Sequence, residues 1–178
     1  MTRDLATLST NDALDPLPSA LRVLERQPDP VFAVLDAARD DAVLATLRGQ
    51  SECAYASLYD EDPRHASLAA FAPYLVGLHR SGPFLEALLR RSWAQSWGIF
   101  LTCSLPFDEV RRHLRRFLLV QHEDGRELYF RFYDPRVLRA FLPTCTPEQS
   151  HAFYGPIGGF FAESHAPTRL RTFARRAW

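Results

Sequence analysis

The chain has no lysine. All 21 of its basic residues are arginine, and they balance 21 Asp plus Glu over 178 residues. That balance removes the global field that would draw the protein to nucleic acid or to an anionic membrane. Coding bias is the first reading of an all-arginine set, although arginine also suits bidentate and stacked contacts better than lysine. Cysteine is scarce as well: Cys53, Cys103 and Cys145 stand far apart and form no C-x-x-C. An odd, sparse set argues against a disulfide framework and for a reducing compartment. The six histidines form no H-x-H or H-x-x-x-H pair, so metal ligation has no support in the spacing. There is no Gly-rich phosphate loop and no G-x-S-x-G. No apolar run approaches the length of a membrane span, and residues 1–16 lack the apolar centre of a secretory signal. These absences predict a soluble, cytoplasmic domain without cofactor or metal.

What is present is an ordinary globular composition, 47% apolar and 24% charged. A chain of this length makes one compact domain that buries roughly 70% of its unfolded surface. Pro18 to Arg26 reads as a short helix with Leu21 and Leu24 inward. Val31–Leu35 (VFAVL) is a continuous apolar run that suits a strand buried on both faces. A helix capped by Asp40 follows, with Val43, Leu44 and Leu47 inward and Gly49 at its C′ position. Ala54–Tyr59, Tyr74–Leu78 and Ile99–Cys103 are further strands, and Asp60–His65 a charged loop. Amphipathic helices are predicted from Pro83 and from Pro106.

The stretch from Phe117 to Pro156 is the most informative. Phe117–Gln121 and Leu128–Asp134 read as two strands around Asp124-Gly125, which offers the positive φ angles of a two-residue type I′ turn. A short helix follows Asp134-Pro135-Arg136. Thr146 and Gln149 then form a capping-box pattern. Ile157–Glu163 reads as an edge strand. The fold class predicted is α/β: a single layered domain with a mixed β-sheet flanked by helices, plus a β-hairpin and a short helical C-terminal part. The early buried strands are read as parallel. Residues 1–30 form an N-terminal extension, 31–163 the α/β domain and 164–178 a basic tail.

Each candidate site has a plain reading beside its functional one. Asp36, at the end of the first strand, is expected to cap a loop or pair with an arginine; the alternative is a hydrolase or transferase carboxylate beside a histidine. Arg112 and Arg116 belong to an Arg-rich helix face, either solvated or suited to an acidic protein partner. Nucleic acid is disfavoured by Asp108, Glu109 and the neutral balance. Phe153, Tyr154, Phe160 and Phe161 lie among glycines. Core packing is the first expectation for them, and a docking surface for a partner's strand or helix the second.

Five segments together resemble a known family: VFAVLDAA, APYLVGL, WGIFLTCSLPFDEVRRHLRRFLLV, DGRELYFRFYDPRVLRAFL and FYGPI. The family was first catalogued as a domain of unknown function. Its members lie beside VgrG spike proteins in type VI secretion clusters of Gram-negative bacteria and are called effector chaperones or adaptors (Tap or Tec proteins). The likeness spans about residues 30–162. It is most specific at Phe130–Leu138, then at His113-Leu114-Arg115 and Gly155-Pro156-Ile157, and it departs at Ala72, where the family usually has glycine. The resemblance implies a binding protein rather than an enzyme. Such a protein holds a toxic effector in the cytoplasm and hands it to the VgrG spike or its PAAR tip. Arg131, Tyr133, Asp134 and Arg136 then become protein-binding candidates. The polar three are expected to pair with one another or cap local backbone, with direct partner contact as the alternative. If they make that contact, Arg136→Ala leaves the fold intact and abolishes cargo co-purification.

Overall fold

The computed structural model describes residues 16–59, 69–121, 124–166 and 168–175. The expected charged loop at Asp60–His65 and the polar start at residues 1–15 lie outside them. Six strands form one sheet in the order β2-β3-β1-β4-β7-β8, and two more form a separate ribbon. In chain order the elements begin α1 (Leu17–Glu25), β1 (Val31–Asp36), α2 (Asp41–Arg48), β2 (Tyr55–Ser57) and β3 (Pro73–Leu78). They continue α3 (Pro83–Ser92), β4 (Gly98–Cys103), α4 (Phe107–Arg115), β5 (Leu119–Gln121) and β6 (Glu127–Tyr129). Last come α5 (Pro135–Phe141), a 3-10 turn at Leu142–Thr144, α6 (Pro147–Tyr154), β7 (Ile157–Glu163) and β8 (Leu170–Ala174).

β1 is buried along its whole length because helices cover both faces of the sheet. Phe32 and Val34 point into a core shared with Val110 and Leu114 of α4, Leu138 of α5 and Phe153 of α6. Val31, Ala33 and Leu35 point the other way, onto Leu24 of α1, Leu47 of α2 and Leu85 and Leu88 of α3. The period-2 alternation of a strand thus feeds two cores in a three-layer α/β/α domain. Each fully buried leucine or phenylalanine contributes roughly 1.5–3 kcal/mol relative to an exposed one.

The layered α/β class holds, but the parallel pairing expected for the early strands does not. β1 runs antiparallel to both of its neighbours, β3 and β4, and β4–β7, β2–β3 and β7–β8 are antiparallel too. The sheet is therefore antiparallel rather than mixed. The reason is topological. β3 and β4 point the same way and are joined through α3, as in a crossover unit, but β1 occupies the slot between them. Double burial comes from the two helical layers and needs no parallel strands.

Four other expectations are corrected. β7 is interior, between β4 and β8, and residues expected in a basic tail supply β8 at the sheet's edge. The two strands around Asp124-Gly125 are three residues each, in the register Leu119↔Tyr129 to Gln121↔Glu127. Five residues therefore separate them, and Gly125 alone of that pair has positive φ, +85°, so the turn is not type I′. Gly49 is the C-cap of α2 with φ −81°, not a left-handed C′ residue.

Candidate partner-binding site

The site begins where the ribbon returns to the body. Phe130 N–H donates to the Leu118 carbonyl at 2.8 Å, which holds the end of β6 against the segment leaving α4. The chain then turns instead of continuing as a strand: Asp134 N–H donates to the Arg131 carbonyl at 3.0 Å. Pro135 at the first helical position ends any extended run and starts α5. Asp134 is the N-cap. Its Oδ1 accepts from Arg136 N–H at 2.9 Å, and its Oδ2 accepts from Arg136 Nη2 at 2.5 Å. One carboxylate thus caps the helix and holds the guanidinium two residues on. Burial pushes the Asp134 carboxyl up, but the bonds from Arg136 and the fields of Arg136 and Arg131 together bring it below its ordinary value.

Arg131 takes a partner 95 positions away, pairing with Asp36 at the end of β1. Asp36 is 1% exposed and its other oxygen accepts from Ala38 N–H at 3.1 Å. Its hydrogen bond to Asp36 raises the Arg131 pKa, overcoming the lowering by burial. Asp36 therefore both caps its loop and pairs with an arginine. The enzymatic alternative needs a histidine beside it; among the described residues, which leave out His65, the groups that interact with its carboxylate include Arg131, Arg136, Tyr59, Tyr133 and the Ala38 amide. Tyr133 is buried and shares a side-chain hydrogen bond with Tyr59; burial, with Tyr59 and Asp36 nearby, pushes its phenol far up. Of the polar signature residues, Asp134 and Arg136 pair as expected, whereas Arg131 reaches outside the signature.

The four aromatics selected from the sequence take the core alternative. Phe153, Tyr154, Phe160 and Phe161 are all buried. Phe153 stacks on Phe160 with ring centroids 5.0 Å apart, and Tyr154 meets Phe160 edge-on. They offer a partner no exposed face. Arg112 is exposed on α4. Arg116 is engaged, donating from Nη2 to Nδ1 of the buried His113 at 2.6 Å. Because Nδ1 accepts there, the imidazole carries its proton on Nε2 and donates it to the Phe153 carbonyl at 2.8 Å. Burial lowers the His113 pKa, and Arg116 lowers it further against the raising effect of that carbonyl.

What sequence reasoning missed is the surface beside this cluster. Leu119, Val120, Leu128 and Tyr129 of the β5–β6 ribbon are 40–60% exposed, so both faces of a two-stranded ribbon present apolar groups to solvent. Tyr129 meets Tyr59 with centroids 5.6 Å apart, which joins the ribbon to the Tyr133–Arg131–Asp36 cluster. The alternation at residues 128–133 was visible. The missing signal was that the strand stops at Tyr129, which leaves Leu128 and Tyr129 outside the core and puts Phe132 inside it.

A family model described as domain of unknown function (DUF4123) matches residues 31–152, from β1 into α6. No curated protein and no solved structure matches the chain. The matched region contains the ribbon, the Asp36–Arg131 pair and the Asp134 cap, and ends before β7 and β8. On that match, over well more than half its length, the chain belongs to the DUF4123 family.

Proposed function

We propose that this protein is an adaptor for type VI secretion: it holds a cognate toxic effector in the cytoplasm and passes it to a VgrG or PAAR spike protein. The family match across residues 31–152 carries the reading, because that family is linked to type VI effector chaperones. The exposed apolar ribbon is compatible with it. Leu119, Val120, Leu128 and Tyr129 form a surface suited to shielding apolar segments of a client, rimmed by the half-exposed guanidinium of Arg131. A protein that binds one state of its client stabilises that state by mass action.

The test is a pull-down of the tagged protein from its native host, in cells expressing the secretion system. Retention of a VgrG-type spike protein together with one large toxin is expected; retention of neither overturns the reading. Tyr129→Glu with Leu128→Glu is expected to leave the thermal transition in place and reduce client capture at least about tenfold, the effect of losing one or two interface anchors.

A further inference from the structure

A second surface lies on the other side of α5, against a part of the sheet beyond the family match. Hydrogen bonds from Ser164 N–H to the Arg169 carbonyl and from Arg175 N–H to the Gly158 carbonyl set the phase of β8. Arg169, Arg171 and Phe173 then share one side-chain face. Phe173 enters the core beside α6, so Arg171 and Arg169 emerge past the end of that core. There they meet Arg136 and Arg139 of α5 across a cleft of about 1030 Å³.

Four arginines face one glutamate in the lining of this cleft. That glutamate, Glu163, is already occupied: one oxygen accepts from Ala94 N–H at 2.8 Å, the other from the Ser96 hydroxyl at 2.9 Å. Those two residues hold positive φ, +61° and +54°, so Glu163 fixes a strained loop; of the four arginines its charge acts on Arg136, and one carboxylate leaves the cleft cationic. Arg136 is held by Asp134, and Arg139 donates to the Glu163 carbonyl at 2.5 Å, so both guanidinium groups are fixed in place. Arg169 and Arg171 are exposed and have no carboxylate partner among the described residues. β8 is also the last strand of the sheet, and the same phase turns the backbone groups of Leu170 and Thr172 away from β7.

We propose that this cleft binds an acidic, extended segment of the client protein. The segment's carboxylates would engage the four arginines while its backbone pairs with the open edge of β8. The identity of the occupant as a client rests on the adaptor reading; the chemistry of the cleft does not. Fixed guanidinium groups favour carboxylates through paired donors, and an open edge strand favours an added strand. A nucleic acid is the weaker fit. Its affinity comes from a long track of phosphate contacts, whereas this cationic cluster is local on a chain of zero net charge. Its aromatic neighbour Phe173 is also buried under Arg171 and gives bases no stacking platform.

The experiment is fluorescence anisotropy with a labelled short peptide of alternating Glu and Val, against a matched Gln–Val peptide. The Glu peptide is expected to bind about tenfold more tightly and to lose most of that advantage at roughly 0.3 M salt, where exposed charges are screened. Arg169→Glu with Arg171→Glu removes the preference, while Arg48→Glu, at an exposed position on α2, leaves it unchanged. Arg171→Lys, which keeps the charge but not the paired donors, weakens binding less than Arg171→Glu; if the double variant loses its thermal transition, Arg169→Gln takes its place and still weakens the Glu peptide. Equal binding of the two peptides, or an unaltered affinity in the Arg169 variants, overturns the proposal. So does tighter, Arg169-dependent binding of a short single-stranded DNA. In the host pull-down, equal client capture by wild type and the double variant overturns the cleft and leaves the adaptor reading standing. Conversely, selective binding of the Glu peptide with no client retained keeps the cleft's chemistry and removes the adaptor reading.

Discussion

His113 shows most directly how single residues are constrained. Its ring sits between an arginine that donates to Nδ1 and a carbonyl that accepts from Nε2, an arrangement only the neutral imidazole satisfies. Its folded pKa lies below the ordinary 6.5, so near that pH the unfolded chain binds more protons than the folded one. By linkage, its contribution to stability is fully present above about pH 6.5 and is lost as pH falls through the lower folded value. Denaturant midpoints measured from pH 8 to pH 5 should therefore fall, and His113→Gln should flatten that slope. Asp134 acts in the same direction in a lower window, below its ordinary 3.8. Gly155 is bound to the same ring: its φ is +49°, and a Cβ there would lie 2.3 Å from His113 Cε1. Gly155→Ala should destabilise by about 2–4 kcal/mol through positive-φ strain and overpacking combined, read from the thermal midpoint. Arg131→Ala strands the buried Asp36 carboxylate. A loss of about 2–3 kcal/mol is expected, less than for a wholly buried pair because the Arg131 side chain is 44% exposed. Arg136→Ala is milder, since Asp134 keeps its bond from the Arg136 backbone N–H, so that variant is a fair probe of binding.

Among the elements, the ribbon and the central strands behave oppositely. β5 and β6 contribute exposed apolar groups and make their pairing with each other, so substitutions there should alter binding more than stability. β1 and β4 approach so closely that a Cβ on Gly98 would sit 2.0 Å from the Val34 carbonyl oxygen. Gly98→Ala must push the two strands apart and should cost about 3 kcal/mol, at the upper end for overpacking, measured by equilibrium unfolding. α6 depends on its start. The capping box of Thr146 and Gln149, read from the sequence, is closed by bonds of 3.2 and 3.0 Å. Thr146→Ala should remove about 1 kcal/mol.

For the whole molecule, stability should be graded across the sheet. β1 and β4 lie between two cores and have neighbours on both sides, while β2 and β8 are edges. Amide exchange should be slowest at residues 31–35 and 99–102 and fastest in the ribbon and at 170–174. Protection of β8 that rises on adding the Glu–Val peptide would place that peptide on the edge strand. The two surfaces, the apolar ribbon and the arginine cleft, flank α5 and the corner that Asp134 caps.

Local chemistry was legible in the sequence where a few neighbouring residues settle it. The apolar run of VFAVL is plain from its composition, and the Asp40 and Thr146 caps, the proline-led helices and the Asp134–Arg136 pair all depend on contacts within a few positions. Strand direction was not legible, because side-chain periodicity is the same for parallel and antiparallel partners; whether β1 inserts between β3 and β4 depends on the packing of both helical layers. Nor was the fate of Phe130–Asp134, where the same alternation could continue a strand or turn into a helix, and the core's demand for Phe132 decided it. The Asp36–Arg131 pair joins residues 95 apart. The cleft needs Arg136 and Arg139 from one helix and Arg169 and Arg171 from the last strand. The sequence by itself determined the layers, the caps and the family; tertiary structure alone decided which charges meet and which apolar groups remain outside, because those depend on distances between segments that no local pattern encodes.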